Sequence, residues 1–175
     1  MEQIRSNKKI QCFLIALVMN ILHTPISTAT SRMGTATISD SDGIPCFSVP
    51  ETSETKFGLP LHGITISELP DGSTDKIPLA VWSFKESNHQ APPILMPKQC
   101  ILYGESPPNT IQRTLRPLEL LKVYSIYMRA RHDDSSMMGY MGQFCIKPAG
   151  SGRTTVQVIS EDPRLGERRY EGCVK

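Results

Sequence analysis

Hydrophobic and polar residues alternate along this chain in short runs divided by turn residues. The clearest run is Val123 to Arg131, where Tyr124, Ile126, Met128 and Ala130 fall on one side and Ser125, Tyr127, Arg129 and Arg131 on the other. A period of two puts successive side chains on opposite faces of a pleated strand, so this run predicts a strand buried on one face only. The same alternation pairs Ile64 with Ile66, Phe144 with Ile146, and Val156 with Val158. Further extended runs are read at Thr35 to Ser39, Ile44 to Val49, Leu61 to Leu69, Ile77 to Phe84, Ile94 to Tyr103, Tyr140 to Lys147 and Arg153 to Ser160. Between them lie turn signals such as Asp40-Ser41-Asp42-Gly43 and Pro70-Asp71-Gly72-Ser73, in which Pro presets φ and Gly accepts positive φ.

No window sustains a helical period over three turns. Leu115 to Leu121 comes nearest, but Pro117 interrupts it and leaves room for one turn of helix at most. Strand lengths at this spacing predict an all-β fold: an antiparallel sandwich of about seven or eight strands, immunoglobulin-like in general architecture. A true immunoglobulin domain would carry a Tyr two residues before its second cysteine, where this chain has Gln143. Trp82 also lies 36 residues beyond Cys46, too far for adjacent strands of that fold. The sandwich is assigned to residues 30–160. The charged stretch from Glu161, broken by Pro163 and Gly166, reads as a C-terminal extension over 161–175 that only Cys173 would tie down.

The first 29 residues break the pattern. Arg5, Lys8 and Lys9 precede an apolar run from Cys12 to Leu22, followed by Pro25 and the small residues Ser27-Thr28-Ala29, which is the signature of a secretory signal peptide. The run is about half the roughly 20 residues a spanning helix needs. The remaining chain is expected in the periplasm, with no membrane insertion after cleavage. Removing this segment takes away three basic residues and one acidic one, leaving 16 of each sign among the 19 and 17 of the whole chain. A neutral chain with scattered charge has no footprint for nucleic acid or for an anionic membrane surface.

Export changes the reading of the cysteines. Cys46, Cys100, Cys145 and Cys173 form an even set spaced 54, 45 and 28 apart, so disulfides are expected, in any of three connectivities. A metal site would want two thiolates within a few residues of each other, and no pair has that spacing. Neither a metal nor a cofactor is expected. Asp40-Ser41-Asp42-Gly43 and Asp133-Asp134-Ser135-Ser136 are the two acidic spots with oxygen ligands for calcium, but both read more simply as turns. None of His62, His89 and His132 sits in a hydrolase motif, so enzymatic activity is not expected.

A binding protein is the better reading. Tyr127 shares the polar side of its strand with Arg129 and Arg131, and Tyr and Arg are the residue types enriched at binding hot spots. These three residues and His89, in a polar loop, are the candidate contacts to a partner. Met137-Met138-Gly139-Tyr140-Met141 adds an adaptable apolar stretch.

Four segments in order carry a family resemblance. They are Ile44 to Pro50 (Ile-Pro-Cys-Phe-Ser-Val-Pro), Val81-Trp82-Ser83, Pro97 to Gly104 (Pro-Lys-Gln-Cys-Ile-Leu-Tyr-Gly), and Leu118 through Arg131 with Phe144-Cys145-Ile146. The chain resembles the periplasmic immunity (lipo)proteins of type VI secretion systems, over about Gly34 to Val158. The resemblance implies a β-rich domain with the positions of Cys46, Cys100 and Cys145 inside strands. It also implies a partner, a cognate secreted antibacterial effector that the protein binds and blocks. The family's lipobox cysteine follows the apolar run, whereas Cys12 opens it here, so a lipid anchor is not expected. The alternative is a structural or adhesive β-sandwich module of the cell envelope, joined to its neighbours by strand exchange.

Overall fold

The computed structural model describes residues 32–70, 77–88, 90–132, 137–159 and 173. The apolar N-terminal segment, His89, the acidic spot at 133–136 and the charged residues 161–172 lie outside the described residues. Eleven strands are present: β1 Arg32–Thr35, β2 Thr37–Ser41, β3 Ile44–Ser48, β4 Leu59–Glu68, β5 Leu79–Glu86, β6 Ile94–Leu95, β7 Ile101–Leu102, β8 Thr110–Leu115, β9 Val123–Ala130, β10 Met137–Pro148 and β11 Thr154–Ile159. The larger sheet runs in the order β1-β10-β9-β4-β5-β8, with β11 pairing the second half of β10 and β6 pairing the start of β4; β2, β3 and β7 form the smaller sheet. Strand pairing is antiparallel except between β1 and β10. The fold is thus the all-β sandwich that the alternation predicts.

The core fills with one residue in two from each strand. Ile64 and Ile66 of β4, Trp82 and Phe84 of β5, Tyr124, Ile126 and Met128 of β9, and Phe144 and Ile146 of β10 are buried against Ile38 of β2 and Phe47 of β3. Burial of a large apolar side chain stabilises by about 1.5–3 kcal/mol relative to exposure, so this layer supplies most of the folding free energy. Phe47 joins the two sheets: its ring stacks on Trp82 at 6.1 Å and packs tilted against Phe144 at 5.5 Å. Two tyrosines carry polar tips into the layer and find partners there. The Tyr124 hydroxyl accepts from the Glu119 amide at 2.8 Å, and the Tyr103 hydroxyl donates to the Arg116 carbonyl at 2.6 Å. Burial pushes the Tyr103 phenol up to about 12, which keeps it a donor.

The chain crosses between sheets at Ala36, whose amide bonds the Met141 carbonyl at 2.8 Å before β2 begins. The β2–β3 hairpin turns on Asp42 and Gly43, with φ of 53° and 84°, the two positive values that a two-residue type I′ turn requires. Asp40 then clasps the sheets together. One carboxylate oxygen accepts from the Gly43 amide at 2.6 Å, the other from the Thr155 hydroxyl at 2.5 Å and the Val156 amide of β11 at 3.0 Å. The Thr155 bond and then the Val156 bond hold this carboxyl below the usual carboxylate range. The acidic residue weighed as a calcium ligand therefore spends its oxygens on a hairpin and on an edge amide.

The cysteines pair as Cys46 with Cys100 and Cys145 with Cys173, with Cα separations of 5.5 and 5.9 Å, both inside the range that a disulfide spans. The first bridge lies within the smaller sheet, since Cys100 immediately precedes β7 and β7 pairs β3. The second bridge holds Cys173 against the outer face of the larger sheet. Cys145 and Cys173 are buried there with Val123, and Leu69 and Ile159 pack against them as a second, small apolar cluster. Neither bridge crosses the main core as an immunoglobulin disulfide would. Two disulfides place the protein in an oxidising, extracytoplasmic environment. Among the described residues no helix is long and apolar enough to cross a membrane.

Three details differ from the sequence reading. The single run from Ile94 to Tyr103 is two short strands, β6 and β7, parted by a turn in which the Gln99 amide bonds the Met96 carbonyl and Lys98 takes φ 64°. The stretch Thr110–Leu115 forms β8, although its pattern is mostly polar, because it is an edge strand with no side chain fully buried. The Leu115 to Leu121 stretch makes no helical turn; Leu120 bridges Ile146 instead. These additions, with β1, raise seven or eight strands to eleven.

Candidate functional site

The outer face of the larger sheet carries the polar half of β9. In register, Met141 of β10, Tyr127, Thr65 of β4, Ser83 of β5 and Thr114 of β8 form one row across five strands. Small hydroxyl residues continue the row beside Tyr127 on β4, β5 and β8. In the next row, Arg129 lies opposite Gly63, which in turn lies opposite Lys85. Gly139, on β10, has φ 153°, and a Cβ there would meet the Met128 carbonyl oxygen at 2.5 Å and the Tyr127 ring at 3.1 Å. Only glycine permits that approach, so the Tyr127 ring leans over bare backbone.

Arg129 does not project alone. Its Nη2 donates to Glu86 Oε1 at 3.1 Å, while Glu86 Oε2 lies 2.7 Å from His62 Nδ1 and His62 Nε2 lies 3.3 Å from the Arg131 carbonyl oxygen. Carboxylate and carbonyl are both acceptors, so the ring makes both bonds only when both its nitrogens carry protons. The chain Arg129–Glu86–His62 links β9, β5 and β4 and holds the guanidinium, whose side chain is 45% exposed, at a set place on the face. An ion pair this open to water contributes at most about 1 kcal/mol to stability. Its value is in fixing a long side chain before any partner arrives.

The structure brings together Tyr127, Arg129 and Arg131 on one side of β9, as the alternation predicts. Tyr127 and Arg131 are half-buried and Arg129 is exposed. His89 lies outside the described residues. His132 is exposed at the end of β9. Glu86 and His62 were not legible as site residues, since each stands alone in sequence, 43 and 67 positions from Arg129. The one local hint is Gly63, a glycine amid apolar residues of a strand, a frequent sign of close approach.

Both His62 ring nitrogens are engaged by acceptors, and Cys46, Cys100, Cys145 and Cys173 are all in disulfides. Among the described residues no group of three or more His, Cys, Asp or Glu side chains is placed to hold a metal ion. The arrangement places a guanidinium held by Glu86, the Tyr127 ring and exposed Met141 on one face of the larger sheet. Comparison of the chain with models of known protein families, with curated proteins and with solved structures returns no match.

Proposed function

We propose that this protein is a periplasmic immunity protein that binds a cognate type VI secretion effector and blocks it by occlusion, with no chemistry of its own. The observation that carries this reading is the held guanidinium of Arg129 beside Tyr127 on a broad open sheet face. Residues of these two types, fixed in advance, contribute most to protein interfaces because little side-chain entropy remains to be lost on binding. The export signature, the two disulfides and the family resemblance support the same reading. A complex of standard size would bury about 1,600 Å² in all, and a face five strands wide is broad enough to supply one side of it.

An adhesive envelope module is the second reading, favoured by the edge position of β8. Its pairing to β5 skips Arg113, a bulge carrying a cation, and such features protect an edge from strand addition. The deciding experiment is growth rescue. The product of the adjacent gene is sent to the periplasm of a test bacterium, with this protein present, absent, or lacking residues 1–29. Rescue that requires the export segment, and that Tyr127→Ala with Arg129→Ala abolishes, supports the immunity reading. Toxicity that the wild-type protein leaves untouched removes it.

A further inference from the structure

A second surface lies apart from Tyr127 and Arg129. The loop between β3 and β4 is rigidly built around Thr55, which is fully buried although hydroxylic. Its hydroxyl donates to the Pro50 carbonyl at 2.6 Å and accepts from the Thr52 amide at 2.8 Å, and its carbonyl accepts from the Gly58 amide at 2.8 Å. This braced turn presents Phe57, which is 79% exposed, the most exposed aromatic among the described residues. Lys56 Nζ rests 4.6 Å from the centre of its ring. Gly58, with φ 83°, presses the loop onto Ile94 and Met96: a Cβ there would lie 2.5 Å from Ile94 Cγ2 and 2.8 Å from Met96 Sδ. Ile94 and Met96 are themselves 53% and 44% exposed.

Ile94 is shared with a pit. Together with Leu61, Leu95, Ile101 and Pro107 it lines a partly open cavity of about 140 Å³ whose wall is mixed, with Gln99 and Glu105 also among its lining residues. A cavity of about 150 Å³ is the size that accommodates one benzene ring. The same neighbourhood therefore presents a projecting phenyl group and a hole of phenyl size, both beside Ile94. Their charges are also opposite. Lys56 stands by the projection and Glu105 by the hole, and neither forms an ion pair among the described residues.

We infer that this surface joins two copies of the chain about a two-fold axis, with Phe57 of each copy seated in the pit of the other and Lys56 paired with Glu105. A patch that carries both a projection and its matching recess is self-complementary, which is the condition for a closed isologous dimer. A foreign partner would have to reproduce both features. A second copy supplies them with the correct charge at each, and the braced loop needs no ordering on association. The other nearby ions, Lys98 with Glu51 and Arg32 with Glu54, are paired within the chain and leave the patch electroneutral. That balance disfavours an anionic lipid surface as the occupant.

The test is sedimentation of the purified exported protein from micromolar to submillimolar concentration. Wild type is expected to pass from monomer to dimer. Phe57→Ala should weaken association about tenfold or more, the usual loss for a central aromatic anchor. Lys56→Glu and Glu105→Lys should each weaken it by about fivefold, and the double variant should restore it. All four variants are read against thermal melting, which Phe57→Ala should leave unchanged because the ring is exposed. A wild-type monomer at every concentration overturns the inference. So does a dimer indifferent to Phe57→Ala, or a double reversal that does not recover. Phe57→Ala that leaves self-association intact but abolishes capture of a secreted effector also overturns it, assigning the surface to that partner instead.

Discussion

The two sides of β9 are made from one stretch of chain and answer to different demands. On the inner side Tyr124, Ile126, Met128 and Ala130 are fully buried among aromatic rings from both sheets. On the outer side the same strand passes from Val123, covered by Cys173, through Ser125 and Tyr127 to exposed Arg129. The inner side is uniform because every position is buried in the one core. The outer side is divided: one end is covered by Cys173, disulfide-bonded to Cys145, and the other carries exposed Arg129. A sheet face is thus not polar or apolar as a whole, since what covers each row decides it.

Substitutions should separate these regimes. On the inner side, Phe144→Ala removes the ring that touches both Phe47 and Tyr124 and should destabilise by about 3–5 kcal/mol, measured by chemical denaturation. The roofed end should behave like the core. Cys145→Ser with Cys173→Ser releases a loop closed over 28 residues and should lose about 3 kcal/mol. A loss under about 1 kcal/mol would show that Cys173 does not stabilise this end as the core does, contrary to the division drawn above.

Asp40 offers a sharper, pH-dependent test at the sheet junction. Its carboxyl is held below the ordinary value of 3.8, so its contribution is fully present above that value and is lost as pH falls through the lower folded value. Stability measured from neutral pH into this acid range should fall more steeply in wild type than in Asp40→Asn. Equal acid limbs would mean that the hydrogen bonds to Thr155 and Val156 do not form in solution. The smallest stability effect belongs to the open end: Arg129→Ala should change stability by no more than about 1 kcal/mol and, on the proposed immunity reading, weaken growth rescue. A large loss of stability there would make the Arg129–Glu86–His62 chain a structural brace rather than a recognition element.

Much of the fold was legible because strand periodicity is local. Val123 to Arg131 needs only its own nine residues to divide into an inward and an outward set, and Asp42-Gly43 needs only its own chemistry to turn. β8 was invisible for the complementary reason: at an edge, with no side chain fully buried, it leaves no alternation to read. The candidate site was half legible. Tyr127, Arg129 and Arg131 follow from alternation, but Glu86 and His62 reach Arg129 through strand register, which pairs residues far apart in sequence. The polar loop after β3 hid the exposed Phe57, because only the hydrogen bonds of Thr55 turn that loop into a rigid support.

The sequence by itself determined that this chain folds as antiparallel strands about one core, and that Cys46, Cys100, Cys145 and Cys173 would pair among themselves. Those properties depend on neighbours two or three residues apart, or on counting. The tertiary structure alone decided which cysteines meet, which end of the outer face is roofed, that Asp40 clasps β11, and that a phenyl group stands beside a phenyl-sized pit. Each of these rests on contacts between segments tens of residues apart. Such contacts follow from how strands are ordered across a sheet, and a linear pattern of polarity carries no record of that order.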